Sequence, residues 1–193
     1  MQGDQGLPVT QPAIYIDPTA EVHPNAVIGA GTNIWNWTKV RETARIGKNC
    51  NIGQCIYIDA NAVIGNDCKI QNGVSIYHGV MIGDRVFVGP NVTFTNDLYP
   101  RAANPGWKIT STKVDDGVSI GANATIVCGV TLGANCMIAA GAVVTRDVPP
   151  HGLVMGQPAR LVDYVTEAGR RLNHDVSGEP PAAEALNSVD DGH

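Results

Sequence analysis

His78 and Asn96 stand 18 residues apart, and so do Cys128 and Arg146. An imidazole takes or gives a proton near neutral pH, and a carboxamide orients a nucleophile. A guanidinium pairs with phosphate. If the fold stacks residues at this spacing, the four form one column of imidazole, carboxamide, small thiol and cation. Such a column suits acyl transfer from a long phosphorylated carrier, with the reacting carbon near His78 and Asn96 and a phosphate near Arg146. The bland reading is an outward histidine and arginine that only face solvent. Asn96 and Asp97 can equally start a turn.

A hexad repeat supplies the spacing. Stepping by six from Ile16 gives Val22, Ile28, Ile34, Val40, Ile46, Ile52, Ile58, Ile64, Ile70, Ile76, Ile82, Val88 and Phe94. The register breaks there and resumes at Val114, Ile120, Ile126, Leu132, Ile138 and Val144. Four places after each hit stands a small or β-branched residue, and three places after it stands Gly, Asn or Asp in 15 of 20 cases. Those three types tolerate the left-handed backbone region, so each hexad reads as a short strand ending in a tight corner. Three hexads close an 18-residue coil, and residues 18 apart stack.

The composition agrees. The 193 residues include 22 Gly and only 5% aromatics, as a thin aliphatic prism with many corners requires. A formal charge of −5 argues against non-specific nucleic-acid binding. No apolar run approaches a membrane span, and Met1 to Gln11 lacks the pattern of a signal peptide; a cytoplasmic location is expected. Five Cys without a CxxC pair suggest neither disulfides nor a zinc knuckle. Cys50, Cys68 and Cys136 take the small inward slot. His23, His78, His151, His174 and His193 lack the spacing of a three-histidine metal site, so no metal is expected.

Residues 1–15 read as a lead-in and 16–160 as the repeat domain. A loop over 95–113 is inserted in the fifth coil, where Pro100, Pro105 and Gly106 would interrupt a strand. Leu161, Val162, Val165 and Leu172 are spaced as in a helix, so a short helix over 161–172 is expected to cap the prism. Residues 173–193 read as a flexible tail.

The pattern resembles the hexapeptide repeat of left-handed parallel β-helix acyltransferases, over about residues 16–148. The resemblance implies an all-β, left-handed helix of about seven coils. Phe94-Thr95-Asn96-Asp97-Leu98-Tyr99-Pro100-Arg101 is similar to a segment of bacterial N-acetyltransferases that act on nucleotide-linked 3-amino sugars. Ile34-Trp35-Asn36-Trp37, Lys69-Ile70-Gln71-Asn72, the stretch from Gly121 to Gly129, and Gly156-Gln157-Pro158-Ala159-Arg160 resemble further signatures of that group. The wording of the first segment is closer to enzymes using dTDP-3-amino-3,6-dideoxyhexoses than to those using UDP-2-acetamido-3-amino-glucuronate.

From this resemblance follow acetyl-CoA as co-substrate, a homotrimer with sites between subunits, and direct attack of the sugar amine. Ala122, Ala140 and Gly141 would hold pantetheine, with Cys128 beside the groove and Arg146 or Arg160 at the phosphates. His78 is the candidate base, Asn96 would orient the amine, and Asp97 is a second base; some relatives manage without a side-chain base. Trp35, Trp37, Tyr77, Tyr99 and Arg101 would meet the acceptor. The tryptophans can equally be buried between subunits, and Arg101 can merely anchor its loop. Other acceptors (a 4-amino sugar, an amino acid, an antibiotic) and a non-catalytic scaffold are the rival readings.

Overall fold

The computed structural model describes residues 12–187. Two-residue strands follow one another every six positions and stack in parallel into three sheets. The first sheet runs from Tyr15–Ile16 through Asn33–Ile34, Asn51–Ile52, Lys69–Ile70, Phe87–Val88, Ser119–Ile120 and Met137–Ile138 to Gly152–Gly156. The second climbs from Glu21–Val22 to Val143–Val144, and the third from Val27–Ile28 to Thr131–Leu132. Registers are 18 residues apart, as in Tyr15 opposite Asn33 and Lys39 opposite Tyr57. Seven coils and the start of an eighth result, a parallel β-helix as expected.

The two inward rows form the core. Ile34, Ile52, Ile58, Ile70, Ile76, Ile120 and Ile126 are fully buried, as are Cys50, Cys68 and Cys136 in the small slot. Burial pushes the Cys136 thiol up to about 12, so it packs as a compact hydrophobe.

Sixteen of the twenty corner positions have positive φ. Twelve are the Gly, Asn or Asp that the repeat favours. The others are Trp37 (φ 54°), Thr43 (60°), Cys55 (56°) and Arg85 (56°), where coil stacking overrides local preference. Asn25, Asp97 and Asp147 were expected in that region too, and are not in it. Asp147 instead uses Oδ1 to accept the Thr131 N–H (2.7 Å), tying its corner to the coil below.

The expected helix over 161–172 is not formed. Ala159–Tyr164 is a strand, antiparallel to Gly152–Gly156, and this hairpin closes the end of the prism with Leu153, Val154, Tyr164 and Val165 buried. A carboxylate decides it. Asp163, 1% exposed, accepts N–H groups of Tyr164, Asn173 and His174 and the Arg171 Nε–H. Burial raises its pKa, but these four bonds outweigh it and hold the carboxyl below its usual range. The chain is drawn back on itself through Gly169 (φ 80°), which no helix permits. The only helix among the described residues is Ala183–Leu186, within the segment expected to be a tail, whose last residues 188–193 lie outside the description. No helix of the described residues is long and apolar enough to cross a membrane.

The inserted loop is two residues shorter than expected, since Thr112–Val114 already pairs with Val80–Ile82. Its ends are pinned by Thr110 N–H to Asn96 O (3.0 Å) and Gly129 N–H to Ser111 O (3.1 Å).

Threonines in the inward rows differ in one respect. The Thr38 hydroxyl donates to Gly53 O (2.7 Å) and accepts the Ile56 N–H (3.2 Å). The Thr112 hydroxyl is buried without a partner among the described residues. Thr112→Val is therefore expected to keep or raise the melting temperature, whereas Thr38→Val should lower stability by about 1–3 kcal/mol. Paired thermal denaturation of the two variants checks this; a comparable loss in both would contradict it.

Candidate active site

Corners of the prism form two lines relevant to chemistry. The tryptophan edge joins the first sheet to the second and carries Trp35-Asn36-Trp37, Gly53-Gln54-Cys55, Gln71-Asn72-Gly73, Gly121-Ala122-Asn123 and Ala139-Ala140-Gly141. The histidine edge joins the second sheet to the third and carries Arg41-Glu42-Thr43, Asp59-Ala60-Asn61, Tyr77-His78-Gly79, Thr95-Asn96 and Thr145-Arg146. The second sheet lies between them. Trp35, Trp37, Ala122, Ala140 and Gly141 are thus brought together on one edge, and Tyr77, His78, Asn96 and Arg146 on the other.

On the histidine edge His78 and Asn96 are one coil apart, roughly 4.8 Å along the axis, and both are half-buried. The inserted loop leaves at Asn96 and returns beside Gly79, where the Thr112 N–H donates to Gly79 O (3.0 Å). A Cβ on Gly79 would lie 2.6 Å from Ile109 Cγ2, so glycine there lets the loop close down beside the imidazole.

A polar network below His78 has no counterpart in the residues singled out from the sequence. Asp59 Oδ2 accepts the His78 backbone N–H (3.3 Å), while its Oδ1 accepts from the Tyr57 hydroxyl (3.0 Å) and the Ala60 N–H (2.8 Å). Arg41 bonds Glu42 through Nε and a terminal nitrogen (2.9 and 2.8 Å) and reaches Tyr57 (3.3 Å). Those bonds hold the Glu42 carboxyl below its usual range. The Tyr57 and Tyr77 rings are 5.7 Å apart. The 18-residue ladder was the available signal: Arg41, Asp59 and Tyr77 form a column directly beside that of His78.

Asn61 faces the imidazole itself, its amide 3.4 Å from His78 Nε2. The Thr43 hydroxyl lies 2.5 Å from Glu42 O and 2.7 Å from the other end of the same amide. The Thr43 hydroxyl donates to Asn61 Oδ1, so the Asn61 NH₂ is the end that faces His78 Nε2. His78 Nδ1 has no partner among the described residues.

Several residues take other roles. Asp97 Oδ1 accepts the Tyr99 N–H (2.9 Å), an Asx turn that occupies the carboxylate within the loop. Tyr99 is 76% exposed, and Arg101 bonds Pro100 O (2.7 Å). Cys128 stands in the column but is buried, correcting its expected place beside the groove: the returning loop covers its corner, and its N–H donates to Thr95 Oγ1 (2.9 Å). Arg146 and Arg160 line one groove of about 170 Å³ against the terminal hairpin. The Arg146 guanidinium has no partner among the described residues, so a cationic spot is available there. Ala140 is exposed, and a Cβ on Gly141 would meet nothing within 4 Å, so this part of the tryptophan edge is open to a ligand. No group of three or more metal-binding side chains occurs among the described residues.

Known proteins carry the same repeat. A family model described as bacterial transferase hexapeptide (six repeats) matches residues 61–96 and 111–146, and one described as hexapeptide repeat of succinyl-transferase matches 43–78. A hexapeptide-repeat-containing acetyltransferase of Vibrio cholerae is 31% identical, over 72% of this chain and 73% of that one (TM-score 0.49). The chain carries the bacterial transferase hexapeptide repeat over residues 43–96 and 111–146. A maltose O-acetyltransferase of Clostridium difficile 630 is 31% identical, over 60% of this chain and 66% of that one (TM-score 0.55). The dTDP-3-amino-3,6-dideoxy-alpha-D-galactopyranose 3-N-acetyltransferase of Aneurinibacillus thermoaerophilus is 44% identical over 61 residues, 32% of either protein. The 2,3,4,5-tetrahydropyridine-2,6-dicarboxylate N-acetyltransferase of Brevibacillus brevis is 41% identical over 83 residues, 43% of this chain and 33% of that protein. The matches thus span about a third of these two curated relatives.

The Asn61 geometry carries a prediction. Asn61→Asp puts a carboxylate beside His78 Nε2, which favours the imidazolium. An NMR pH titration should show His78 protonating at higher pH than in the unaltered protein. A lowered or unmoved midpoint would mean that the amide does not face this nitrogen as described.

Proposed function

We propose that the protein transfers the acetyl group of acetyl-CoA to the 3-amino group of a nucleotide-linked sugar, with dTDP-3-amino-3,6-dideoxyhexoses favoured. The observation that carries this is a match of height between the two edges. His78 and Asn96 lie on the fourth and fifth coils of the histidine edge. At the same level the tryptophan edge changes character, from Trp, Asn and Gln below to Gly and Ala above. Small residues suit a pantetheine arm lying along the prism, and polar and aromatic ones suit a sugar nucleotide. The second sheet keeps the edges of one chain apart, so a single site that uses both needs the histidine edge of one subunit beside the tryptophan edge of another. A homotrimer supplies that arrangement, and acetyl-CoA then runs toward the Arg146 and Arg160 end.

The chemistry is direct. The neutral amine attacks the thioester carbon, and the carbonyl π electrons move to oxygen. The His78 imidazole takes the proton that the nitrogen sheds. Collapse of the tetrahedral intermediate breaks the carbon–sulfur bond, and the leaving thiolate receives a proton from the imidazolium. Asn96 orients the amine. Holding the two substrates together supplies much of the rate, and a positioned base adds about 10²–10⁴-fold. Support for the acceptor comes from the Phe94–Arg101 segment and from the dTDP-amino-sugar relative. A second acceptor has its own support in the tetrahydropyridine dicarboxylate relatives, which match the chain over a similar length.

One assay separates these readings. The protein is incubated with acetyl-CoA and a panel of dTDP- and UDP-linked 3- and 4-amino sugars, with tetrahydropyridine dicarboxylate as a further arm. Thiol release with a nucleotide-linked 3-amino sugar is expected, and His78→Ala should lower kcat/KM about 10²-fold or more. Asn96→Ala should also reduce it. Release only with the dicarboxylate, or silence across the panel, sinks the amino-sugar reading. Full activity of His78→Ala at every pH removes the base.

A further inference from the structure

The lower half of the tryptophan edge holds a groove of about 280 Å³ lined by Trp35, Asn36, Asn51, Gly53, Gln54, Gln71 and Asn72. Every one of these side chains is uncharged. The volume is near the lower end of the roughly 300–1,000 Å³ range of small-molecule sites. Trp35 is held rather than loose: its Nε1–H donates to Asn51 Oδ1 (2.8 Å), and Tyr15 packs against it at 5.3 Å. It nevertheless remains 40% exposed. Asn72 Oδ1 is spent on the Gln54 backbone N–H (3.1 Å), and Asn36 Nδ2 on Asp17 (3.1 Å). The side-chain amides of Gln54 and Gln71 and the Asn72 NH₂ have no partner among the described residues. The corner beside them keeps Trp37 and Cys55 at positive φ, two of the four such corners that are not Gly, Asn or Asp.

We propose that this groove is a nucleobase subsite, with the ring against Trp35 and its in-plane edge read by the amides of Gln54, Gln71 and Asn72. A phosphate is the wrong ligand, because the groove has no cation to pair with it. An aromatic base has both features the groove answers: a flat face for the indole, and an edge of adjacent C=O and N–H groups that a carboxamide matches with its own donor and acceptor. The subsite deepens the reading of the acceptor as nucleotide-linked and rests on it for the rest of that ligand. It also accounts for the groove's height, three coils or fewer below His78, within reach of a sugar carried on a diphosphate.

Calorimetric titration of the full-length protein with dTDP, UDP, GDP, ribose 5-phosphate, pyrophosphate and a methyl glycoside tests it, without acetyl-CoA. At least one nucleoside diphosphate should bind, with the three base-free compounds at least tenfold weaker. Gln54→Ala, at an exposed position, and Gln71→Ala, at a half-buried one, should each weaken the nucleotide about tenfold at unchanged melting temperature. Pyrophosphate or the glycoside binding as tightly as the nucleotides overturns the proposal, as does unchanged nucleotide affinity in both variants. The acetylation panel keeps the two readings apart. Acetylation of a nucleotide-linked sugar with KM unmoved in the Gln variants removes the subsite alone. Base-dependent binding lost in those variants, with no amino sugar acetylated, removes the acceptor reading alone.

Discussion

Everything in this molecule depends on the hydrogen bonding of each coil to the next. Trp35 N–H donates to Ile52 O, Gly53 N–H to Ile70 O and Gln71 N–H to Val88 O, each at 2.8–2.9 Å. With strands of two residues, no strand is stable by itself; each is held only because its neighbours 18 positions away are in register. The register also fixes the side chains. Corner side chains reinforce it: Asn66 Oδ1 accepts the Lys48 N–H (2.9 Å), and Asp84 Oδ1 the Asn66 N–H (2.7 Å). A residue's function is therefore set by its position modulo 18 and by its height, as in a lattice.

This explains what the sequence made legible. The aliphatic row from Ile34 to Val144 states the register outright, and the column of His78, Asn96 and Arg146 follows by counting. The polar network of Arg41, Tyr57, Asp59 and Asn61 followed from the same count, but each of its members reads alone as an ordinary surface residue. Only adjacency on the ladder turns them into partners of His78. Trp37, Thr43, Cys55 and Arg85 were illegible as left-handed corners because their own preferences oppose that backbone. Coil stacking overrides them at a cost of roughly 1–2 kcal/mol per residue, a cost that leaves no periodic trace.

The C-terminal segment shows the opposite failure. Leu161, Val162, Val165 and Leu172 satisfy a helical spacing, yet short apolar patterns do not separate helix from strand. The deciding group is Asp163, whose one carboxylate gathers donors from Tyr164, Arg171, Asn173 and His174. A buried acid with four partners is a tertiary fact, and nothing about a single Asp announces it. The consequence reaches the candidate site. Because the chain folds back as a hairpin instead of departing as a helix, Arg160 comes to line the same groove as Arg146.

The inserted loop completes the logic of the lattice. A long insertion can leave a prism only at a corner, since anywhere else it would break a strand pairing in two coils at once. It leaves at the histidine edge, between Phe94 and Thr112, and returns where Gly79 and Gly129 lack the Cβ that would obstruct Ile109 and Thr110. The break in the repeat, the loop and the half-buried His78 thus coincide at one level of one edge. A solvated surface histidine would need neither the glycine clearance nor the cover. The imidazole meets Asn61 at Nε2 and has the loop folded beside its corner, the arrangement on which its proposed role as the base rests.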